Sequence, residues 1–389
     1  MKILWASPLP PVRSGVSDYA VELLGALGSR AQVRVVEPME WRPPDDWPLA
    51  GRVELVPTGT EAAPDEVSLV HLGNNPHHLW LLERLGRPRT AVVLHDLVLH
   101  HLLVEAAASD IDPGALEERL REAHGEPGAA LASAREVGFT GRRDPFLFPA
   151  WQPFAARADA VIVHSRWATD IVRRDAPGLA VGRIGLPVAD PGGVDRGAIR
   201  TRLGLEDGEV ALMHLGFLTP EKGLTAILGG VAAATRAGVA ARLVLVGEGA
   251  AGSDLKRAAE AAGIGDRVIA SGWIAPDEFP SVPAAADLGV VLRTPSAGET
   301  SAAAVRFLAC GTPVAVGGQR QFLELPEPAA PRLTPGPSAP AELARLLAVA
   351  ADGGEAWARR RRAAREIYEA EHTPELAAKQ LLTFLEKTF

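Results

Sequence analysis

Short apolar runs of strand length alternate with amphipathic helical stretches along this chain, and that alternation constrains the fold more than any single motif. Residues 3–6 form a buried-strand run, residues 8–15 a loop rich in Pro and Gly, and Val16, Tyr19, Ala20, Leu23, Leu24 and Leu27 keep helical spacing up to Gly28. Further strand runs come at 33–36, 68–72, 91–94 and 160–163. Strands that are apolar throughout are covered on both faces, and strands separated by helices pair in parallel. A Gly- and Pro-rich stretch at 184–193 interrupts the series, which then restarts. Strands are expected at 210–214, 242–246, 267–270, 288–292 and 312–316, with helices at 224–237, 253–262, 277–286 and 300–309. The expectation is an α/β chain of two doubly wound domains, 1–187 and 188–368, facing a cleft. A last helix within 369–389 opens on Thr373-Pro374-Glu375 and carries Leu376, Leu381, Leu382 and Leu385, an apolar stripe expected to pack back on the first domain. Between Leu97 and Arg157 the pattern changes: 114–137 reads as charged helix and 146–151 as an aromatic-proline cluster. An insertion walling a cleft and a helical pair covering the sheet both fit.

A length of 389 residues suits two such domains. The net charge of −8 argues against general nucleic-acid binding, which needs a positive surface to displace counterions. One cysteine, Cys310, excludes intramolecular disulfides and Cys-based zinc sites. The apolar run after Met1-Lys2 is too short for a signal peptide or a membrane span, so a cytoplasmic protein is expected. Oligomeric state leaves no mark in the sequence.

The richest segment is Thr294-Pro295-Ser296-Ala297-Gly298-Glu299-Thr300-Ser301, where an expected strand ends and a helix begins. Thr300 or Ser301 can cap that helix, Gly298 permits close approach, and free amides at a helix start attract anions. A capped turn without a ligand fits equally well. In His214-Leu215-Gly216-Phe217-Leu218-Thr219-Pro220-Glu221-Lys222, a glycine turn precedes a lysine able to reach a diphosphate, or simply solvated. Gly247-Glu248 and Gly272-Trp273-Ile274 also fall at strand ends, where backbone could meet a nucleotide or form ordinary turns. In the first domain, Arg13-Ser14-Gly15-Val16-Ser17 is no dinucleotide fingerprint. His95-Asp96 follows a strand directly; the histidine could donate to a sugar hydroxyl or form a structural turn. Asn74-Asn75-Pro76-His77-His78 suits sugar hydroxyls better than a metal. His100 and His101 point apart on a helix and no HExxH accompanies them, so no metal site is expected.

Taken in order, these segments resemble the retaining GT-B glycosyltransferases of family 4, also called glycosyl transferases group 1, with their two Rossmann-like domains. Ser14-Gly15-Val16 looks like the N-terminal glycine loop, His95-Asp96 like the histidine beside the sugar, and Gly216 with Lys222 like the strand-turn-lysine element. Residues 271–274 through 285–287 are similar to the base-binding strand and following helix, and Leu308-Ala309-Cys310-Gly311-Thr312-Pro313-Val314 is the closest match. Three departures stand out. Phe217 replaces an arginine, and the two glutamates expected eight positions apart fall on Gly298 and Arg306, with Glu299 one place later. A guanidinium has only donors and cannot accept from ribose hydroxyls as a glutamate does.

The resemblance implies metal-independent transfer, with retention, from a UDP- or GDP-type sugar nucleotide to a hydroxyl acceptor, without a cofactor. On that reading His95, Lys222 and Glu299 serve the chemistry. Gly15, Gly216, Gly247, Glu248, Ile274, Arg293, Gly298, Thr300, Ser301 and Arg306 join Lys222 and Glu299 in holding the donor, with Arg293 or Arg306 replacing the missing arginine. Ser14, Val16, Asn74, Asn75 and His77 face the acceptor. Peripheral membrane contact stays compatible with this reading. The alternatives are a nucleotide-sugar epimerase or phosphorylase on the same fold, or a degenerate nucleotide-sugar-binding protein.

Overall fold

The structure, a computed structural model, describes residues 1–38, 41–45, 47–109, 111–112, 115–247 and 253–389. Its contacts divide it into two compact units. The first comprises Met1–Pro187, Ala297–Thr300 and Pro374–Phe389; the second comprises Val188–Ser296 and Ser301–Thr373.

In the first unit β1 (Lys2–Ala6), α1 (Gly15–Leu27), β2 (Gln32–Val36), β3 (Glu54–Val56), β4 (Glu66–Leu72) and β5 (Thr90–Leu94) come first. Helices α2 (His100–Ala108), α3 (Leu116–His124), α4 (Glu126–Glu136), α5 (Asp144–Leu147) and α6 (Gln152–Ala155) follow, then β6 (Ala160–Val163), α7 (Arg166–Asp175) and β7 (Ala180–Arg183). The strands form one parallel sheet in the order β3-β2-β1-β4-β5-β6-β7. Every residue of β4 and β5 is buried, as strands covered on both faces must be. The sequence order reverses between β1 and β4, so the connections leaving their carboxyl ends run to opposite faces and leave a crevice there. Residue 114 lies outside the described residues; the rest of the charged region expected at 114–137 forms two helices, broken at Gly125, where φ is +64°.

The second unit contains α8 (Arg196–Arg202), β8 (Val210–Leu215), α9 (Leu224–Arg236), β9 (Ala241–Val246), α10 (Ser253–Ala261), β10 (Val268–Gly272) and β11 (Leu288–Val291). It continues through α11 (Ala302–Ala309), β12 (Val314–Gly317), β13 (Arg332–Leu333), α12 (Ala339–Asp352) and α13 (Gly354–Glu371). Its parallel sheet runs β10-β9-β8-β11-β12-β13, with the reversal between β8 and β11. The helix expected at 277–286 is a tighter 3-10 turn, Phe279–Ala285, because Pro280 and Pro283 remove the amides an α-helix would use.

Helix α14 (Pro374–Thr388) belongs to the first unit and packs on α1 and β7. Leu381 and Leu385 are fully buried, and a Cβ on Gly182 would lie 2.7 Å from the Phe384 ring. The helix starts later than residue 369 because α13 runs on to Glu371.

Candidate active site

The first unit gathers its polar side chains where β1, β4, β5 and β6 end. His71 is the sixth residue of β4, His95 follows β5, and His164 follows β6. Their rings surround Tyr19 of α1 at centroid distances of 5.5, 4.6 and 5.2 Å, and Trp5 of β1 lies 4.0 Å from His71. His71 Nδ1 and His95 Nε2 are 3.1 Å apart. His71 and His164 are buried and His95 is half-buried. Burial, then the neighbouring histidines, hold His95 well below the usual imidazole range, and His71 likewise. Both rings are therefore neutral near pH 7, which suits hydrogen-bond donation rather than ion pairing. The Tyr19 phenol is raised by burial alone. Among the described residues no group of three or more His, Cys, Asp or Glu side chains is placed to hold a metal ion.

The loops around this cluster are tied down by capping. Ser14 accepts from the Ser17 amide at the start of α1, leaving Gly15 exposed and Val16 half-buried. Asn75 accepts from the His77 amide, and His77 is exposed. Asn74 Oδ1 accepts from the amides of His101 at 2.9 Å and Leu102 at 3.3 Å, and so caps α2, whose own N-cap Leu99 has no side chain for the purpose. Losing such a cap costs about 1 kcal/mol. Asn74→Ala is therefore expected to lower unfolding stability by about that much in a urea titration. An unchanged midpoint would leave Asn74 without this structural duty.

Segment Ala297–Thr300 counts with the same unit. The Ala297 carbonyl accepts from the Leu97 amide at 3.1 Å. Gly298 has φ +81°, and a Cβ there would lie 2.3 Å from the Trp167 ring, so only glycine fits. Glu299 is buried, and the Thr300 hydroxyl is buried without a hydrogen bond. His95, Gly298, Glu299 and Thr300 thus share one unit.

In the second unit the polar groups collect where β8 and β11 end. Gly216 follows β8, and a Cβ on it would lie 3.4 Å from Lys222 Nζ, which donates to the Phe217 carbonyl. The Thr294 amide donates to the Glu221 carbonyl at 2.8 Å, joining the lysine loop to the loop after β11. Buried His214 is pushed down to about 4, first by burial, then by the charge of Lys222, with Arg293 adding to it. The loops that carry Lys222 and Arg293 thus meet where β8 and β11 end, and both charges act on His214. Gly247 has φ +134° and would bring a Cβ within 2.8 Å of the Gly216 carbonyl, so the ends of β8 and β9 need glycine to lie this close. Glu248 lies outside the described residues.

Ser301, not Thr300, caps α11, accepting from the Ala304 amide at 3.3 Å. Arg306 is buried, with its guanidinium 5.3 Å from the centre of the Phe279 ring. Of the two arginines, Arg293 shares the neighbourhood of Lys222 and Arg306 is stacked on an aromatic. Ile274 is half-buried after β10, next to Trp273, which is 51% exposed, as is Phe217 at the end of β8.

Sequence reasoning missed Tyr19, His71, His164 and Trp167 as parts of the site. His164 follows its strand as His95 does, and a histidine inside the otherwise buried run of β4 is an anomaly; both signals were present.

Residues 209–350 match the family model for glycosyl transferases group 1. The chain is 33% identical over 161 residues to a 2-deoxystreptamine glucosyltransferase of Streptomyces kanamyceticus, covering 41% of this chain and 40% of that protein. It is 30% identical over 265 residues to a D-inositol 3-phosphate glycosyltransferase of Segniliparus rotundus, covering 64% and 51%. The matches thus span about half, or less, of these relatives. Among solved structures, sucrose-phosphate synthase of Thermosynechococcus elongatus aligns with a TM-score of 0.65 at 18% identity, over 100% of this chain and 99% of that one. Anabaena HepE in complex with UDP-glucose aligns with a TM-score of 0.64 at 17% identity over 100% of both. The fold is of the GT-B glycosyltransferase class, two Rossmann-like doubly wound sheets.

Proposed function

We propose, for a chain whose residues 209–350 carry a group 1 glycosyltransferase domain, that it transfers a sugar from a nucleoside-diphosphate sugar to a hydroxyl acceptor, with retention and without a metal. The observation that carries this reading is the placement of Lys222 beside Gly216, on a loop hydrogen-bonded to the one that follows Arg293, at the reversal point of the second sheet. As the glycosidic bond breaks, the leaving diphosphate gains negative charge. Preorganised cations and helix-start amides stabilise that charge in place of a divalent ion. Lys222 supplies one charge and Arg293 takes the place of the arginine that Phe217 displaces. The amides opening α11 supply dipoles. Ile274 presents backbone to the base. Glu299 accepts from sugar hydroxyls, and neutral His95 donates to one.

Supplying UDP- and GDP-sugars with excess chelator, and following the anomeric proton of the product by NMR, tests the reading. Transfer with retained configuration is expected; dependence on added magnesium, or an inverted product, would sink it. Glu299→Gln is expected to raise donor KM or change sugar preference, because an amide turns one acceptor into a donor. Unchanged donor affinity and preference would remove Glu299 from this role. The competing reading, a binding protein without turnover, draws on Arg306, whose guanidinium is buried over Phe279 and cannot accept ribose hydroxyls. Nucleotide binding by calorimetry with neither transfer nor hydrolysis would favour it.

A further inference from the structure

The histidine cluster carries an inference that rests on the proposed reading for its functional consequence but not for its chemistry. His78 and His164 each place Nδ1 against a backbone carbonyl, that of His71 at 2.9 Å and that of Ile184 at 3.3 Å. A carbonyl only accepts, so each of these rings carries its proton on Nδ1. The His71–His95 contact joins two ring nitrogens, and either could donate. His71's other nitrogen decides the matter. His71 Nε2 is buried without a hydrogen-bond partner, on a ring packed against Trp5 and Tyr19. A proton there would be an orphaned buried donor, costlier than a bare lone pair among aromatic rings.

We propose that His71 is a positioning residue: its Nδ1–H donates to His95 Nε2 and thereby fixes His95 as the Nδ1–H tautomer, presenting a neutral N–H donor to the substrate hydroxyl. The assignment balances at every atom. His71 Nδ1 donates its single proton, His95 Nε2 accepts with its lone pair, and the proton of His95 remains on Nδ1. Of the three histidines around Tyr19, His95 is the most exposed, so the orientation set from inside is read out at the surface. The low basicity of both rings is consistent with a neutral pair.

Nitrogen-15 NMR of the full chain, with histidines labelled, reads the tautomer directly. His95 is expected to be protonated on Nδ1; protonation on Nε2 in the wild type would overturn the proposal. In His71→Phe, which keeps a ring but no donor, His95 is expected to become a mixture of tautomers. His71→Asn, whose amide can donate from near the position of Nδ1, is expected to keep the wild-type state. With a working donor and acceptor, His71→Phe should lower kcat by about 10- to 100-fold, as when a histidine loses the partner that orients it. UDP or GDP affinity should not change, and His71→Asn should recover most of the rate. Equal losses in both variants, with the His95 tautomer unmoved, would make His71 merely structural and end the proposal. Should His71→Phe not fold, the wild-type spectrum and His71→Asn still decide it. A wild type that transfers no sugar would defeat the glycosyltransferase reading while leaving the tautomer measurement intact.

Discussion

Lys222→Ala is expected to lower sugar-transfer turnover by about a hundredfold or more, the range seen when one preorganised charge-stabilising contact is lost. The ammonium is held in place by the Phe217 carbonyl at the turn after β8, so little reorganisation precedes the reaction. His214 beneath it is neutral, because burial and the lysine itself suppress its protonation, so no second charge from that side compensates for the loss. Most of the effect should appear in kcat, since the diphosphate carries more charge in the transition state than in the ground state. Steady-state kinetics with saturating acceptor checks this, and near wild-type turnover would remove Lys222 from the mechanism. Arg293→Ala should also weaken nucleotide binding, whereas Arg306→Ala, which unstacks a guanidinium from Phe279, should act on stability first.

Gly298→Ala is expected to be nearly as damaging, for steric reasons. The new Cβ would fall 2.3 Å from the Trp167 ring, on a backbone at φ +81°. Loop or ring must move, and Glu299 and Thr300 move with the loop. Misplacing a reacting constellation by about 1 Å can cost about a hundredfold. Trp167→Ala in the same chain removes the clash but not the backbone strain of about 1–2 kcal/mol for a left-handed alanine. The double variant should therefore recover part of the activity, and the coupling between the two changes can be measured as a cycle. If Gly298→Ala keeps full activity, the position of this loop is not what sets the chemistry.

The strand series was legible because a strand buried on both faces must be apolar throughout: β6 matches its expected run residue for residue, and β8 and β9 differ from theirs by one. The short strands β3, β7 and β13 were not, since Glu54–Val56, Ala180–Arg183 and Arg332–Leu333 lie toward or at the ends of their sheets and include half-exposed or exposed positions. Among the candidate residues of the two units, His95, Lys222 and Gly298 could be singled out because each follows a strand or sits at a strand-to-helix turn, and local order alone places such residues at a carboxyl edge.

By itself, the sequence determined the succession of strands and helices, the pair of doubly wound domains, and which loops emerge at strand ends, because periodicity and turn chemistry act over a few residues. Only the tertiary structure decided that Ser301 rather than Thr300 caps α11, that Asn74 caps α2, that Gly298 seats on Trp167, and that His71, His95 and His164 close around Tyr19. The Ser301 cap is local, a choice between two neighbouring hydroxyls; the other pairings join residues far apart in the chain, and packing selects each one from many partners that composition and spacing treat as equal.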